Sequence, residues 1–258
     1  LSSSSAASDV YKRQITNCLN FGSPENEENM GEFVECVQGL GEASAYLNFP
    51  VVSGNVSFYN QTKNVGIKPT PTIGGIGLIK NYKNMTTMDL KKSDNILLVI
   101  GKTEGHLEQS LFLREILNEK NGPPPEINLF NEKNNGETVL KLIDKKFIKS
   151  SHDVSLGGII TALSIMCIKG KKGVTLKKPN YLINQFEYLF GEDQGRYIIE
   201  IEKKDLENVS IILEKNSVHY DELGVVNDNT LVIDDKSKVS IDDLIKSHTN
   251  WLTNYMSK

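Results

Sequence analysis

The chain has 258 residues, 38% of them apolar and 24% charged, the balance of a folded protein rather than a disordered one. Its 29 basic and 33 acidic residues leave a net charge of −4, which excludes a broad electrostatic grip on nucleic acid or an anionic membrane. The longest apolar run, Ile96–Ile100, is far too short to span a bilayer, and Cys18, Cys36 and Cys167 are too few and too scattered for a disulfide framework or a metal knuckle. Reduced thiols in a cytoplasmic protein are the simplest expectation.

The first fourteen residues, LSSSSAASDVYKRQ, are rich in Ser and Ala and lack the apolar segment of a secretory signal. They resemble a translated adapter or cloning scar and are set aside from the fold, so the recognisable pattern begins near Ile15 and the chain is expected to be a fragment. From Glu27 to Asn48 the apolar residues Met30, Phe33, Val34, Val37, Leu40 and Leu47 recur at helical spacing, with Glu25, Glu27 and Glu28 at the end that the helix dipole favours. Within this stretch Gly39-Leu40-Gly41-Glu42-Ala43-Ser44 approaches a dinucleotide fingerprint but lacks the strand before it, and close helix packing through the glycines is expected instead. Residues 49–59 predict a strand broken by Gly54, and 73–79 a second, Gly-rich strand. Lys80 to Ser93 has the composition of a linker.

A buried-type strand follows at 95–100, then a helix over 106–118 that ends before Gly122-Pro123-Pro124-Pro125. Further helices are predicted over 136–147 and 156–169, a strand over 197–201, a helix over 205–215, short strands over 222–226 and 230–233, and an amphipathic helix from Ile241. Helices and strands intermix without strict alternation, which predicts an α+β layered fold.

The usual chemical signatures are missing. No Gly-rich loop ends in Gly-Lys-Ser/Thr, no HExxH is present, and the Ser, His and Asp residues lack a nucleophile elbow. Composition and pattern alone stop at a soluble α+β protein.

Five ordered motifs go further. Thr16-Asn17-Cys18-Leu19-Asn20-Phe21-Gly22 with Ser23-Pro24-Glu25, then Pro50-Val51-Val52-Ser53-Gly54-Asn55-Val56-Ser57-Phe58-Tyr59-Asn60, then Pro69-Thr70-Pro71-Thr72-Ile73-Gly74-Gly75, resemble consecutive segments of one enzyme family. Ser151-His152-Asp153-Val154-Ser155-Leu156-Gly157-Gly158 and Leu189-Phe190-Gly191-Glu192-Asp193-Gln194 resemble two later ones. The family is the small PurL type of synthetase subunit of phosphoribosylformylglycinamidine synthase, and its fold is shared with aminoimidazole ribonucleotide synthetase (AIRS). Such enzymes carry an N-terminal-type and a C-terminal-type domain twice. The resemblance implies a truncated second N-terminal-type domain over 15–91 and a complete second C-terminal-type domain over 92–258, with 1–14 a non-native leader.

The resemblance also implies a chemistry. It is that of a purine-biosynthetic ligase, the ATP- and Mg2+-dependent conversion of formylglycinamide ribonucleotide (FGAR) to formylglycinamidine ribonucleotide. Ammonia would come from a separate glutaminase subunit, with a small PurS-type subunit completing the complex. By motif position Asn17 and Gly54 would contact ATP, Asn55 would supply a magnesium ligand and Ser57 would touch FGAR. Glycine allows close backbone approach, and an amide oxygen is a hard ligand suited to Mg2+. His152, Asp153, Glu192 and Gln194 match residues whose first-copy counterparts hold magnesium and substrate; here they are expected to form a structural or fixed-nucleotide pseudo-site, with Asp153 placed to cap the helix near Leu156. Residues acting directly on the phosphoryl group would lie in the first copy, so this chain alone is expected to be inactive. The alternatives are a sister enzyme of the fold, such as AIRS, selenophosphate synthetase or the hydrogenase-maturation protein, and a non-catalytic nucleotide-binding module.

Overall fold

In the computed structural model, which describes residues 10–63, 65–79 and 81–257, the first unit, Val10–Lys80, is built on three strands. Strand β1 (Val10–Asn20) leads through helix α1 (Glu27–Tyr46) to β2 (Val51–Ser57), which lies parallel to β1. A two-residue pairing of β3 (Gln61–Thr62) with β4 (Val65–Gly66) turns the chain into β5 (Thr70–Ile79), antiparallel to β1 on its other side. The order is β2-β1-β5, so β1 is central. Asn26 caps α1 by accepting from the Asn29 N–H at 3.0 Å, and Phe33 anchors the helix edge-on between Phe21 and Phe58, at 5.2 and 5.0 Å.

Two expectations for this unit change. Strand β1 begins at Val10, inside the stretch set aside as foreign: Arg13 and Gln14 pair with Gly77 and Ile76, so this part takes a place in the sheet, while residues 1–9 lie outside the described residues. The glycines of α1 make no close packing either. A Cβ added at Gly39 or Gly41 would meet no atom within 4 Å, because both positions are exposed.

The second unit, Asn81–Lys258, begins earlier than the sequence boundary at 92. The polar 81–93 stretch is fastened rather than loose: the Lys91 and Lys92 N–H groups donate to the buried Glu200 carboxylate, which also accepts from Asn95 Nδ2 and Ser150 Oγ. From here the chain runs β6 (Ile96–Ile100), α2 (Leu129–Asp144), β7 (Ile148–Val154), α3 (Gly158–Gly170), β8 (Gly173–Leu176) and α4 (Gln185–Phe190). It continues through β9 (Arg196–Ile201), α5 (Leu206–Lys215), β10 (Tyr220–Asn227), β11 (Thr230–Val232), β12 (Lys238–Ser240) and α6 (Ile241–Met256). Among the described residues seven strands form one sheet in the order β12-β11-β8-β10-β6-β9-β7.

Strand alternation divides the core into two layers. Leu97 and Val99 of β6 join Ile198 of β9 under α3, α4 and α6, packing with Ile159, Leu163, Met166, Leu189 and Ile241. Ile96, Leu98 and Ile100 face the other way, with Ile199 and Ile201, against Val139, Leu142 and Ile143 of α2 and Val209 and Leu213 of α5. Central strands covered on both faces read as continuous apolar runs, which is why ILLVI stands out in the sequence.

Three local expectations are corrected. The helix over 106–118 is only a π-helical turn at Leu113–Leu117, because the Asp193 carboxylate holds the preceding backbone N–H groups in a loop. Helix α2 starts at Leu129 rather than 136, where Asn128 caps it by accepting from Asn131 N–H at 3.0 Å. Strands β7 and β8 have no counterpart among the predicted elements.

Candidate functional site

The first group of candidate residues lies on the β2-β1-β5 sheet. Register sets Asn17 opposite Gly54, Cys18 opposite Asn55 and Asn20 opposite Ser57. Alternation then sorts the four candidates onto two faces. Asn17 falls with Ile15 and Leu19, each only 4% exposed, and with Gly54 and Val56 across the pair. Asn55 and Ser57 fall on the opposite face with Ser53, whose hydroxyl donates to Thr16 Oγ1 at 2.8 Å. One ligand can therefore meet the side chains of Asn55 and Ser57 together, whereas Asn17 points the other way. A Cβ at position 54 would lie 2.0 Å from Asn17 Oδ1 and 2.8 Å from the Asn17 backbone carbonyl oxygen, so any larger residue there must displace both the Asn17 side chain and the neighbouring strand, irrespective of any ligand.

The second group lies in the other unit, where β7 and β9 pair and then separate. His152 and Asp153 sit near the end of β7, opposite Ile198 and Tyr197. His152 Nδ1 is 2.7 Å from the Asp153 carbonyl oxygen and 3.3 Å from its carboxylate. The hydrogen bond to Asp153 raises the His152 pKa, and the same contact lowers that of Asp153. Asp153 does not cap α3: the cap is Gly157, which makes no side-chain cap bond, and Gly157 N–H donates to Glu192 at 2.8 Å. Glu192 Oε1 also accepts from Leu111 N–H at 2.7 Å, so one carboxylate oxygen joins the two segments. Gln194 is exposed and donates to the Glu192 carbonyl at 3.1 Å. The structure thus brings the two late motifs together through Glu192, as a backbone clasp.

Asp193, not singled out from sequence, is the centre of this clasp. It is 8% exposed and accepts from the N–H groups of Glu104, Gly105 and His106 at 3.0–3.2 Å. Arg196, 1% exposed, lies 3.5 Å from it and donates to the Asp193 and Gly191 carbonyls and to Thr103 Oγ1. Beside the clasp is a cavity of about 860 Å3, lined by Gln194, Gly195, His106, His219 and, from the start of α2, Asn131 and Glu132. Burial raises the Glu132 pKa. The sequence signal for Asp193 was its place between two motif residues; Glu132 had none.

Residues 92–236 match AIR synthase related protein, C-terminal domain, and residues 6–79 match AIR synthase related protein, N-terminal domain. The chain belongs to the AIR synthase related family. Within that family it is 86% identical over 242 residues to phosphoribosylformylglycinamidine synthase subunit PurL of Pelagibacter ubique, a match covering 94% of this chain and 33% of that protein. The chain spans about a third of the length of the curated relatives it matches. Thermotoga maritima PurL complexed with FGAR superposes with a TM-score of 0.71 at 15% identity, over 93% of this chain and 40% of that one. The same PurL complexed with ATP gives 0.67 at 14% identity, over 93% and 38%. At such identity the likeness is one of fold.

A magnesium ion would find an incomplete donor set here. Mg2+ is usually held by one or two carboxylates together with substrate phosphates. Asn55 offers one neutral oxygen, and no cluster of three or more His, Cys, Asp or Glu suited to a metal exists among the described residues. None of the described helices is long and apolar enough to cross a membrane.

Proposed function

We infer that this chain is the second-copy portion of a PurL-type synthetase, acting in purine biosynthesis to convert FGAR to its amidine. The observation that carries this reading is the 86% identity to the Pelagibacter ubique subunit across both units. The reaction class is phosphorylation of the FGAR amide oxygen by ATP, followed by displacement of phosphate by ammonia. Ammonia comes from a glutaminase subunit, and a small PurS-type subunit completes the assembly.

Within that reading, Asn55 and Ser57 act from one face of the sheet. Ser57 hydrogen-bonds FGAR, and Asn55 contributes an oxygen toward Mg2+, whose remaining ligands come from phosphates and from parts of the enzyme beyond this third. Strand β2 is an edge strand among the described residues, so a nucleotide approaching there can reach the Gly54 backbone. Asn17 supports that contact from the central strand, filling the space that Gly54 leaves. His152, Asp153, Glu192 and Gln194 serve the architecture of the second copy, because Glu192 is committed to backbone N–H groups and His152 to Asp153.

The test is a replacement. Exchanging the matching segment of the Pelagibacter ubique subunit for this chain should leave ATP- and ammonia-dependent amidine formation from FGAR intact. A hybrid that folds and assembles without turnover overturns the assignment.

A further inference from the structure

We propose, resting on the contact of Ser57 with FGAR inferred above, that Asn20 is a further substrate-binding residue, whose side-chain oxygen accepts from a hydroxyl or an amide N–H of FGAR. Asn20 is the last residue of β1, the central strand of its sheet, and register sets it between Ser57 of β2 and Thr70 of β5. Neighbouring strands lie about 4.8 Å apart, so a substrate group held by the Ser57 hydroxyl is within reach of the Asn20 amide.

The protein itself makes poor use of that amide. Asn20 Nδ2 lies 3.4 Å from the Thr70 carbonyl oxygen, 3.5 Å from the Cys18 carbonyl oxygen and 3.3 Å from Cys18 Sγ. Both oxygen contacts are longer than an ordinary N–H···O bond. Two carbonyl oxygens on one side still hold the nitrogen toward them, which leaves Oδ1 as the free end of the amide. It accepts no hydrogen bond among the described residues. Asn60 is the contrast: its Nδ2 donates to the Phe21 and Ser57 carbonyls at 3.1 and 3.0 Å, which makes it a structural amide.

The part of the substrate that fits follows from the face. Thr16, Cys18 and Asn20 alternate onto the same side as Ser53, Asn55 and Ser57, all of them half-buried or exposed. None of the six is Lys, Arg, His, Asp or Glu. Such a face has no cation for the phosphate of FGAR and suits its uncharged part, the ribose hydroxyls and amide N–H groups. An acceptor oxygen beside the Ser57 hydroxyl serves those donors.

The experiment uses the full-length Pelagibacter ubique subunit carrying this segment and measures FGAR and ATP affinities separately by calorimetry, with Ser57→Ala as the reference. Asn20→Ala should weaken FGAR about tenfold, the loss expected for one hydrogen bond, and leave ATP affinity unchanged. Asn20→Asp keeps an acceptor oxygen and should bind FGAR more tightly than Asn20→Ala. A packing role predicts otherwise: with a carboxylate facing the Thr70 and Cys18 carbonyl oxygens, Asn20→Asp would bind FGAR no better than Asn20→Ala. That result overturns the Asn20 contact, as does parent-like FGAR affinity in Asn20→Ala when Ser57→Ala is weakened, and either leaves Ser57 in place. Parent-like FGAR affinity in both Ala variants removes FGAR from this face and overturns the two contacts together.

Discussion

Asn17 Oδ1 occupies the place where a side chain at position 54 would begin, 2.0 Å from the Cβ that any residue other than glycine would carry. Gly54→Ala should therefore destabilise the first unit by about 1–3 kcal/mol, the usual cost of forcing a methyl into filled space. Asn17→Ala in the same chain should recover part of this, and only part, because the Asn17 carbonyl oxygen is also within 2.8 Å. Denaturation of the two single variants and the double variant gives the coupling. Strictly additive losses would show that the two positions do not share this space.

Asn55 and Ser57 share the opposite face, and a ligand-binding role there is testable in a full-length PurL-type enzyme carrying this segment. Asn55→Leu keeps roughly the volume and removes the oxygen. It should raise the barrier by about 2–4 kcal/mol, the scale of deleting one electrostatic contact in a site, or a rate loss on the order of 30- to 1000-fold. Asn55→Asp keeps an oxygen and should retain more of the magnesium response. A folded Leu variant with the parent's magnesium dependence removes Asn55 from the site.

Much of this architecture was legible because its signals are local. The ILLVI run of β6 is apolar on both faces, and the glycines of the PTPTIGG segment mark β5. What stayed hidden depends on partners far along the chain. β7 reads as the polar KSSHD, and Ser150 is buried there only because Glu200 accepts its hydroxyl at 2.7 Å. The 106–118 stretch carries helical spacing at Leu107 and Leu111 and again at Leu113, Ile116 and Leu117, yet Asp193 claims the N–H groups that would open the helix. For the site, motif position named Asn17, Gly54, Asn55 and Ser57 together. Their division between two faces follows from period-2 alternation, which the sequence showed but a motif match does not use.

Asp193 and Arg196 form a buried pair whose loss should be felt throughout the second unit. Asp193→Ala strands the guanidinium and three backbone N–H groups, at a cost of about 3–5 kcal/mol, as for other buried pairs deprived of one partner. Gln194→Ala, one residue on and exposed, should stay within about 0.5 kcal/mol of the parent. Urea melts of the two variants decide this. Comparable midpoints would mean that the clasp is not what holds the loops.

The chain by itself should not form amidine from FGAR, ATP and ammonia. It spans about a third of its PurL relatives, and no metal-suited cluster of acidic, His or Cys residues exists among its described residues. The first unit also exposes Val51, Val52, Val56, Ile76 and Leu78, apolar side chains that favour association. Light scattering should show this association growing with concentration. Ammonia-dependent turnover by the purified chain would overturn the composite site.

His152 and Asp153 give the second unit a pH signature whose sign is fixed by their shifts. The hydrogen bond to Asp153 raises the His152 pKa, so its stabilisation is complete below the unfolded value of about 6.5 and is lost as pH climbs through the higher folded value. The same bond lowers the Asp153 pKa, so its contribution is present above the unfolded value of about 3.9 and is lost as pH falls through the lower folded one. Both contributions are therefore present between about pH 4 and pH 6.5. His152→Gln keeps a hydrogen-bonding side chain and removes the charge. Its melting temperature should fall furthest below the parent's near about pH 5.5 and converge on it toward about pH 9, where the parent's imidazole is neutral as well. A difference that stays constant across that range would mean that His152 acts through packing and not through its charge.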